Sequence, residues 1–534
     1  MRLDYKSAVS LLRSQETSVA ALLSMSAVAV GLAIQIQDGE YTPVALGLLT
    51  IALLLTGMAV CARRLGFLPD RWFLPLLVSC ILVEFGELFI TWPGVDLPRL
   101  GGWQLAPFFA GLLVALGCVF VGWIRRLPPL PLGEGGGEGK CDVAQPPSAV
   151  FRRKAEMHFD LRSNTAEGGC ATSSSPTGRR GKAAGASPSL TQTWFPFLVA
   201  THLLLSIWMI RSSPNPHIDV WVFQQDASDA LLHGRNPYSI TFPDIYHSTF
   251  PGHQQVYGNG LVVNDRLQFG FPYPPVSLLL ASLGYAIAHD HRYAQACAMA
   301  VSGLLIGYSR PGVVSKLAAA LLLFTPRIFF VLGRAWTEPF TIMLLAATVF
   351  LACRRSRFLP IALGLLLATK QYMVLALPIS FFLLPPGWKW RDGFNLLWQS
   401  ALVACAVTLP LALLDFHAFG KSTVTVQELA PFRWDALSYL VWYGFRGHLV
   451  TEPFTALFWS TLAAVVTLAL SLWRAPRTPA GFALSLGFIL LAFFAFNKQA
   501  FCNYYFFVIG AMCCAVGALE LPALADRSAD AAAT

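Results

Sequence analysis

Apolar runs of membrane-spanning length recur along almost the whole chain. A helix that crosses a bilayer needs roughly 17–25 consecutive, mostly apolar residues. Only 13% of the residues are charged and 55% are hydrophobic, whereas soluble domains carry about 25% charged residues. We therefore predict an all-α polytopic integral membrane protein, in which the first run is a retained span. The apolar segments lie at 18–37, 43–61, 72–91, 103–123, 194–210, 273–288, 293–309, 312–326, 337–353, 358–384, 393–414, 455–473, 479–496 and 501–520.

The formal net charge of +9 does not indicate a nucleic-acid partner, because of where the basic residues fall. They collect in short connections between apolar segments, which is typical of cytoplasmic loops under the positive-inside rule. We therefore expect membrane lipids as partners and no nucleic acid. The basic clusters are Arg63-Arg64, Arg125-Arg126, Arg354-Arg355-Ser356-Arg357 and Lys389-Trp390-Arg391.

The eleven cysteines are scattered, with no CxxC pair and no histidines at metal-ligand spacing. Such a pattern does not indicate a zinc or redox centre. The carboxylates also lack a second cluster that would complete an oxygen cage around a metal. We expect neither a metal nor another cofactor. Cys502, Cys513 and Cys514 fall in one apolar run and are predicted to be small core residues.

Composition divides the chain into four parts. Residues 1–126 contain four apolar segments, and residues 193–522 form a larger transmembrane module with a long first outer loop at 211–271. Residues 127–192 are rich in Gly, Ser, Thr and Arg and lack apolar periodicity. Such a composition does not bury enough surface to offset its ordering entropy, so we predict a disordered cytoplasmic insertion. Residues 523–534 are predicted to be a cytoplasmic tail.

A count of crossings assigns sides to the loops. With a cytoplasmic N-terminus, five crossings place the polar loop at 211–271 outside. Counting back from the basic cluster at 354–357 places the start of the 337–353 segment, the 415–453 loop and Asn497-Lys498-Gln499 outside as well. The two counts conflict between 273 and 309, so one of the two apolar segments there is predicted to be short, re-entrant or interfacial. The 358–384 segment is predicted to be two short crossings, broken near Lys370-Gln371.

The polar loop begins with a carboxylate that suits chemistry at a bilayer surface. Asp219 follows the end of the fifth span by a few residues. An aspartate has an ordinary pKa of about 4, so it is ionised at neutral pH. As a general base it would take the proton of an acceptor hydroxyl while a sugar leaves its phosphate. A solvated loop aspartate or a simple helix-end charge is the alternative interpretation.

Four motifs resemble a known family. Two of these motifs resemble the first outer loop of GT-C glycosyltransferases, the third resembles the start of the next helix, and the fourth resembles the C-terminal part. The similarity is greatest to glycosyltransferase family 87, the polyprenyl-phosphate-mannose-dependent mannosyltransferases and their bacterial relatives, and it covers roughly 194–520. The motifs are His217-Ile218-Asp219-Val220, Ala230-Leu231-Leu232-His233-Gly234-Arg235-Asn236-Pro237-Tyr238, Phe271-Pro272-Tyr273-Pro274-Pro275 and Phe496-Asn497-Lys498-Gln499-Ala500-Phe501-Cys502-Asn503-Tyr504-Tyr505.

The resemblance implies a GT-C-type helical bundle with Asp219 as the catalytic residue. Asp226 and Asp229 are alternatives that would share one helix face and position an acceptor sugar, or merely solvate the helix. Glu338 would contact substrate or pair with Arg334 four residues earlier. Other interpretations are a turn at Asn236-Pro237-Tyr238 and an interfacial aromatic belt that includes Tyr504. The full set of substrate-binding candidates is Asp226, Asp229, Asn236, Tyr238, Tyr273, Glu338, Asn503 and Tyr504.

A departing polyprenyl phosphate requires a fixed positive charge where its negative charge develops. The candidates are Lys498, Lys370, Arg334 and Arg327. A lysine inside a membrane costs about 2.5–3.5 kcal/mol on insertion scales and therefore needs a reason, which favours Lys370. Lys498 lies on the predicted outer side, against the positive-inside trend. Snorkelling of either lysine to the interface is the alternative.

The predicted function is that of a membrane glycosyltransferase. It would transfer a hexose such as mannose, with inversion, from a polyprenyl-phosphate donor to a hydroxyl of a glycan or lipid acceptor. The donor is a co-substrate and no cofactor is implied. The predicted location is the bacterial inner membrane, with the site facing outward.

Three other functions are left open. A secondary transporter or flippase would place ionisable residues near the bilayer midplane, where only Lys370 fits. A glycan ligase would use the 415–453 outer loop with His417, Arg433, Arg446 and His448. A non-catalytic scaffold with the same fold is the third. The absence of Walker A, GxGxxG, HExxH and Asp-x-Asp motifs favours a lipid-linked donor over a nucleotide sugar.

Overall fold

The computed structural model describes residues 5–62, 70–91, 93, 102–124, 193–247, 256–448 and 453–521. The predicted insertion at 127–192 and the predicted tail at 523–534 lie outside these residues, as do the clusters Arg63-Arg64 and Arg125-Arg126. The described chain is mostly helical. Its helices are α1 (Tyr5–Gln35), α2 (Pro43–Cys61), α3 (Asp70–Ile90), α4 (Ala106–Ile124), α5 (Trp194–Ser212), α6 (Asp219–Leu232), α7 (Pro275–Ala288), α8 (Arg292–Gly307), α9 (Val313–Leu323), α10 (Ile328–Gly333), α11 (Glu338–Cys353), α12 (Leu359–Leu367), α13 (Trp390–Ala412), α14 (Phe416–Gly420), α15 (Val426–Leu429), α16 (Tyr439–Gly444), α17 (Pro453–Arg474), α18 (Pro479–Ala495) and α19 (Cys502–Ala518).

Seven helices among the described residues are long and apolar enough to cross a membrane: α1 to α5, α13 and α17. This agrees with the predicted all-α membrane class. Five further apolar helices, α7, α9, α11, α18 and α19, are shorter. Helices α18 and α19 are almost entirely buried, so they lie at the centre of the helical body. The prediction that Cys502, Cys513 and Cys514 are core residues is confirmed, because all three are buried in α19.

Local sequence explains where several helices begin. Proline is tolerated in the first helical turn because its missing N–H has no partner there in any case. Helix α2 starts at Pro43, and the Thr42 side chain accepts a hydrogen bond from the Ala45 N–H at 3.0 Å. Helix α18 repeats this arrangement with Pro479 and Thr478. Threonine hydroxyls of this kind satisfy one of the unpaired N–H groups at a helix start.

The first helices share a core with the rest of the chain. Helix α1 packs against α2 and α3 and also against α19, near the C-terminal end of the described residues. The Thr50 and Tyr439 hydroxyls form a 2.6 Å hydrogen bond between α2 and α16. One hydrophobic cluster contains side chains from both parts. The four N-terminal helices are therefore packed into the same helical body as the larger module.

Helix α7 resolves the conflict between the two crossing counts. Pro272, just before α7, lines the same cavity as Asp219 at the start of α6, and the Gln225 amide of α6 donates to the His289 carbonyl just after α7. Helix α7 thus starts and ends on one side, alongside α6. Helix α8 crosses the body, because Arg292 at its start donates to the Ser213 carbonyl at one end of α5, whereas Tyr308 contacts Phe195 at the other.

The 358–384 segment is interrupted where the sequence predicted a break. Helix α12 ends at Leu367, Lys370 is extended, and short 3-10 turns follow at Gln371–Ala376 and Ser380–Leu383. The Gln371 side chain donates to the carbonyls of Pro272 and Thr423. Those hydrogen bonds bring the break up against the polar loop.

The polar loop at 211–271 forms a small folded layer on the helical body. Helix α6 lies beside a three-stranded antiparallel sheet with the strand order β1 (Phe242–Pro243), β3 (Arg266–Leu267), β2 (Val262–Val263). Phe223, Phe242 and Phe269 form part of a separate buried apolar cluster beneath this layer. This cluster fixes α6, and with it the position of Asp219, against the body.

Candidate functional site

A cavity of about 620 Å³ lies where the connections predicted to be on the outer side meet. Its volume falls within the range of about 300–1,000 Å³ typical of small-ligand sites. Carboxylates, arginines and aromatic rings line it together. The lining residues come from 38–40, 217–223, 245–246, 256–273, 330–336, 426–435 and 499–504. Segments that are far apart in sequence therefore build one site at one end of the helical body.

Asp219 is the first residue of α6 and lines this cavity. Its Oδ1 accepts a hydrogen bond from the Val220 N–H at 2.8 Å, and its Oδ2 accepts one from the Tyr257 hydroxyl at 3.1 Å. The Asp219 N–H in turn donates to the Tyr246 hydroxyl at 3.2 Å. The N-terminus of a helix also favours a negative charge. The carboxylate is thus held in one orientation while one side of it faces the cavity.

Opposing influences act on the pKa of Asp219. Burial is the largest influence and raises the pKa of Asp219 above the ordinary value of 3.8. The hydrogen bonds from Tyr257 and Val220 and the positive charge of Arg433 act in the opposite direction. A carboxylate with a raised pKa is a stronger base, as long as the working pH lies above that pKa. The same tyrosine is affected in return, because burial and the Asp219 charge raise the pKa of Tyr257.

Five of the predicted site residues line the cavity: Asp219, Tyr273, Arg334, Asn503 and Tyr504. They come from the polar loop and the residues that join it to α7, from the segment between α10 and α11, and from the start of α19. No two of these three segments are neighbours in the sequence. The fold therefore brings together the predicted base, one predicted phosphate-binding residue and three predicted substrate-binding residues.

Asp226 and Asp229 lie farther along α6 and outside the cavity lining. Asp226 is exposed. Asp229 forms an ion pair with Arg235 at 2.6 Å and accepts a hydrogen bond from the Tyr285 hydroxyl at 3.1 Å. These contacts tie α6 to the following turn and to α7.

Asn236 and Tyr238 also lie outside the lining, and they stabilise the loop. The Asn236 Oδ1 accepts a hydrogen bond from the Tyr238 N–H at 3.0 Å, which confirms the predicted turn at this position. The Tyr238 ring is buried, and its hydroxyl donates to the Tyr273 carbonyl at 3.0 Å. Tyr238 therefore supports the backbone of a residue that does line the cavity.

Glu338 and Lys370 form a buried ion pair directly behind the cavity wall. The Lys370 Nζ lies 3.0 Å from the Glu338 Oε1, and the two side chains are 3% and 0% exposed. The same Oε1 accepts a hydrogen bond from the Asn503 Nδ2 at 2.9 Å, and Lys370 lies 4.1 Å from the centre of the Tyr273 ring. The expected pairing of Glu338 with Arg334 is wrong, because the break after α12 brings Lys370 to the carboxylate instead.

The remaining basic candidates have different surroundings. The Lys498 Nζ donates to the carbonyls of Glu428 and Ala430, at 3.0 and 2.6 Å, and Lys498 is not part of the lining. Burial lowers the pKa of Lys498. Arg327 pairs with Asp38 at 2.7 Å. Arg334 lines the cavity, where its Nη1 donates to the His217 carbonyl at 3.2 Å, and it forms no ion pair with the described residues.

Of the four residues proposed for a ligase site, Arg433 lines the cavity and pairs with Asp435. His448 instead stacks on Tyr443, with ring centres 3.8 Å apart, and Arg446 lies over Trp442. His417 belongs to α14 and is not in the lining. The 415–453 loop therefore contributes one of its predicted residues to the site.

Sequence reasoning missed several lining residues. Tyr246 and Tyr257 contact Asp219 from distant parts of the polar loop, and no spacing rule identifies them. Asp38 and Glu40 come from the connection between α1 and α2. The crossing count could have identified Asp38 and Glu40 as candidates, because it places that connection on the same side as the polar loop.

Comparison of the chain with protein-family models, with curated proteins and with solved structures finds no match. Among the described residues, no group of three or more His, Cys, Asp or Glu side chains is arranged to hold a metal ion. The cavity combines an oriented carboxylate, a guanidinium that has no acidic partner among the described residues, and several aromatic rings. Such a set suits a polar ligand that carries both hydroxyl groups and an anionic group.

Proposed function

We propose that this protein is a membrane glycosyltransferase of the GT-C type that uses a polyprenyl-phosphate sugar. The observation that carries the proposal is the placement of Asp219, an oriented carboxylate with a raised pKa, in the wall of a ligand-sized cavity. Groups with a perturbed pKa in a cavity are frequent at catalytic sites. The resemblance of the motifs around Asp219 to family 87 provides the reaction class.

In the proposed reaction the acceptor hydroxyl oxygen attacks the anomeric carbon of the donor sugar. The bond from that carbon to the phosphate oxygen breaks, and polyprenyl phosphate leaves with the electron pair. Asp219 takes the hydroxyl proton as the new bond forms. A single displacement of this kind inverts the anomeric configuration. Tyr257 and the Val220 N–H keep the carboxylate pointing toward the acceptor.

Arg334 is the proposed partner of the donor phosphate. It is the lining arginine that has no acidic partner among the described residues, whereas Arg433 is already paired with Asp435. A guanidinium presents several donors in a geometry that matches phosphate oxygens. Lys370 is a weaker candidate, because Glu338 already neutralises its charge. Tyr273, Asn503 and Tyr504 would contact the sugar.

The seven long apolar helices support a membrane protein. The proposed location is the bacterial inner membrane, with the cavity facing outward, as the sequence predicts. In this orientation the lipid-linked donor reaches the cavity from the bilayer. Mannose is the first sugar to test, on the basis of the resemblance. The acceptor would be a glycan or a lipid.

The test uses purified protein in detergent with radiolabelled polyprenyl-phosphate mannose and an octyl α-mannoside acceptor. Formation of a labelled disaccharide product would support the proposal, and the anomeric configuration of the new bond, read by proton NMR, would test inversion. If no tested polyprenyl-phosphate sugar is transferred, the transferase proposal fails. Membranes that lack the protein provide the control.

A transporter is the second candidate, and one observation favours it. The interrupted α12 carries Lys370 at its break, with Glu338 as a buried partner, and broken helices with ionisable residues are typical of transport sites. This candidate predicts uptake of a solute into proteoliposomes without any acceptor. Transfer to an acceptor without such uptake would exclude it.

A further inference from the structure

Four carboxylic side chains and two arginines line the cavity: Asp38, Glu40, Asp219, Asp435, Arg334 and Arg433. Two ion pairs neutralise part of this set, because Asp38 pairs with Arg327 and Asp435 pairs with Arg433. Asp219 is held by hydrogen bonds as the proposed base. Within the described residues this leaves two charged groups that have neither an ion-pair partner nor the role of the proposed base. One is Arg334, and the other is Glu40, whose side chain is exposed to the cavity.

The backbone that carries Glu40 is unusual. Gln37, Asp38 and Gly39 have successive positive φ values of 47°, 58° and 83°. Residues other than glycine rarely adopt this region, and each such residue costs of order 1–3 kcal/mol. At Gly39 a side chain has no room, since its Cβ would lie 2.9 Å from the backbone of Cys502. Such a conformation persists only where the surrounding structure holds it.

Contacts to two other parts of the fold hold this connection. Arg327 donates to the Gln35 carbonyl at 2.8 Å on one side of the turn. On the other side the Tyr41 N–H donates to the Asp435 carbonyl at 2.9 Å, and Glu40 forms a β-bridge with Ala436. The backbone of Glu40 is therefore fixed against the 426–435 wall of the cavity. A strained and firmly held turn at the edge of a cavity is a common way to position a functional side chain.

The charges in the cavity indicate which substrate would meet Glu40. A carboxylate repels a phosphate, so the donor phosphate is drawn toward Arg334 and away from Glu40. A carboxylate also accepts hydrogen bonds from two neighbouring hydroxyl groups of a sugar. Glu40 and Asp219 both line the cavity. Glu40 and the proposed base thus face one shared space.

We infer that Glu40 binds hydroxyl groups of a neutral sugar acceptor, so that the connection between α1 and α2 supplies an acceptor subsite. This assignment rests on the proposed function and names the second substrate of the same cavity. It also gives the N-terminal helices a role, because the connection between α1 and α2 places Glu40 in a cavity formed mostly by the larger module. Acidic sugars are predicted to be poor acceptors, since their carboxylate would face that of Glu40.

The experiment compares wild type, Glu40→Gln and a matched control, Glu428→Gln, in the purified full chain. Glu428 is an exposed glutamate of the neighbouring 415–453 loop and is outside the lining. The acceptors are octyl α-mannoside, which is neutral, and octyl glucuronide, which is anionic. Glu40→Gln is expected to raise KM for the mannoside about tenfold, through loss of a charge-assisted hydrogen bond, with little change in kcat or in donor KM. It should also reduce the preference for mannoside over glucuronide.

The outcomes separate this inference from the proposed function. Transfer by wild type with unchanged acceptor KM and unchanged preference in Glu40→Gln would overturn the inference alone. If wild type transfers no sugar, binding of octyl α-mannoside to the purified protein is measured by isothermal titration calorimetry. If binding is saturable, and Glu40→Gln weakens it while Glu428→Gln does not, the assignment of an acceptor-type subsite to Glu40 stands. Absence of binding would overturn it together with the proposed function.

Discussion

Asp219 and Glu338 are both the first residue of a helix, and protein atoms surround both, but their partners differ. Asp219 accepts hydrogen bonds from a tyrosine and a backbone N–H, and one side of it faces the cavity. Glu338 is fully buried against Lys370 and Asn503, just behind the same wall. A buried carboxylate that is paired with a positive charge stabilises the fold. A carboxylate that faces the cavity and has no direct counter-charge is available for chemistry.

The sequence signal for the two residues is similar, so the comparison also shows what decides their roles. An acidic residue in the first helical turn is favoured by the helix dipole in either case. The difference arises from long-range contacts, because the break after α12 delivers Lys370 to Glu338 and the polar loop delivers Tyr257 to Asp219. Mutations that remove these partners are therefore the sharpest way to test the contrast.

The largest effect on stability is expected from breaking the buried pair. Lys370→Met leaves Glu338 as an uncompensated buried charge, which is expected to destabilise the protein by about 3–5 kcal/mol. The double variant Lys370→Met with Glu338→Gln removes both charges and should recover most of the thermal stability of wild type. Thermal unfolding in detergent, followed by intrinsic fluorescence, measures both. A single variant as stable as wild type would contradict the structural role of the pair.

Arg334→Gln is expected to weaken productive donor binding. Loss of a charge-assisted hydrogen bond to the phosphate corresponds to a decrease of roughly 10–100-fold in kcat/KM for the polyprenyl-phosphate donor. Arg235→Gln is the matched control, since Arg235 is an exposed arginine of the polar loop that pairs with Asp229 outside the cavity. Equal loss in both variants would argue against a specific phosphate contact.

Tyr257→Phe is expected to change the pH dependence more than the maximum rate. The hydroxyl stabilises the charged form of Asp219, so its removal should raise the pKa of Asp219 further above 3.8. The base is active when deprotonated, and activity is therefore lost as the pH falls through this pKa. The acid limb of the kcat/KM profile should move to higher pH in Tyr257→Phe. An unchanged or downward-shifted limb would contradict Asp219 as the titrating base.

Asp229→Asn is expected to have the smallest effect. The carboxylate forms a partly exposed ion pair with Arg235, and such pairs contribute about 0.2–1 kcal/mol. Transfer activity should stay close to that of wild type, with a small decrease in thermal stability. Loss of activity without loss of stability would instead assign Asp229 to the acceptor site, which is the alternative that the sequence left open.

Local patterns were enough to predict several features. The apolar runs predict a mostly helical chain, and the Asn236-Pro237-Tyr238 turn follows from its residue types. Buried cysteines in α19 follow from their apolar neighbours. Each of these features depends on residues that are close together in the sequence, which is why the sequence alone sufficed.

The rest depends on contacts between distant segments. The crossing conflict required the structure, because α7 has the composition of a spanning helix and only its contacts with α6 show that it starts and ends on one side. The partner of Glu338 was predicted from helical spacing as Arg334, but the tertiary fold provides Lys370. Glu40 and Tyr257 reach the cavity through a strained turn and a long loop, neither of which leaves a local pattern.

The central claim is that Asp219 is the base of a sugar transfer, and a pair of matched variants tests it most directly. Asp219→Asn and Asp226→Asn make the same change on the same helix, one inside the cavity lining and one outside it. The measurement is single-turnover transfer from radiolabelled polyprenyl-phosphate mannose by the purified proteins. Loss of a general base predicts a rate lower by about 10²–10⁴-fold in Asp219→Asn and a wild-type rate in Asp226→Asn. A wild-type rate in a folded Asp219→Asn protein would contradict the claim.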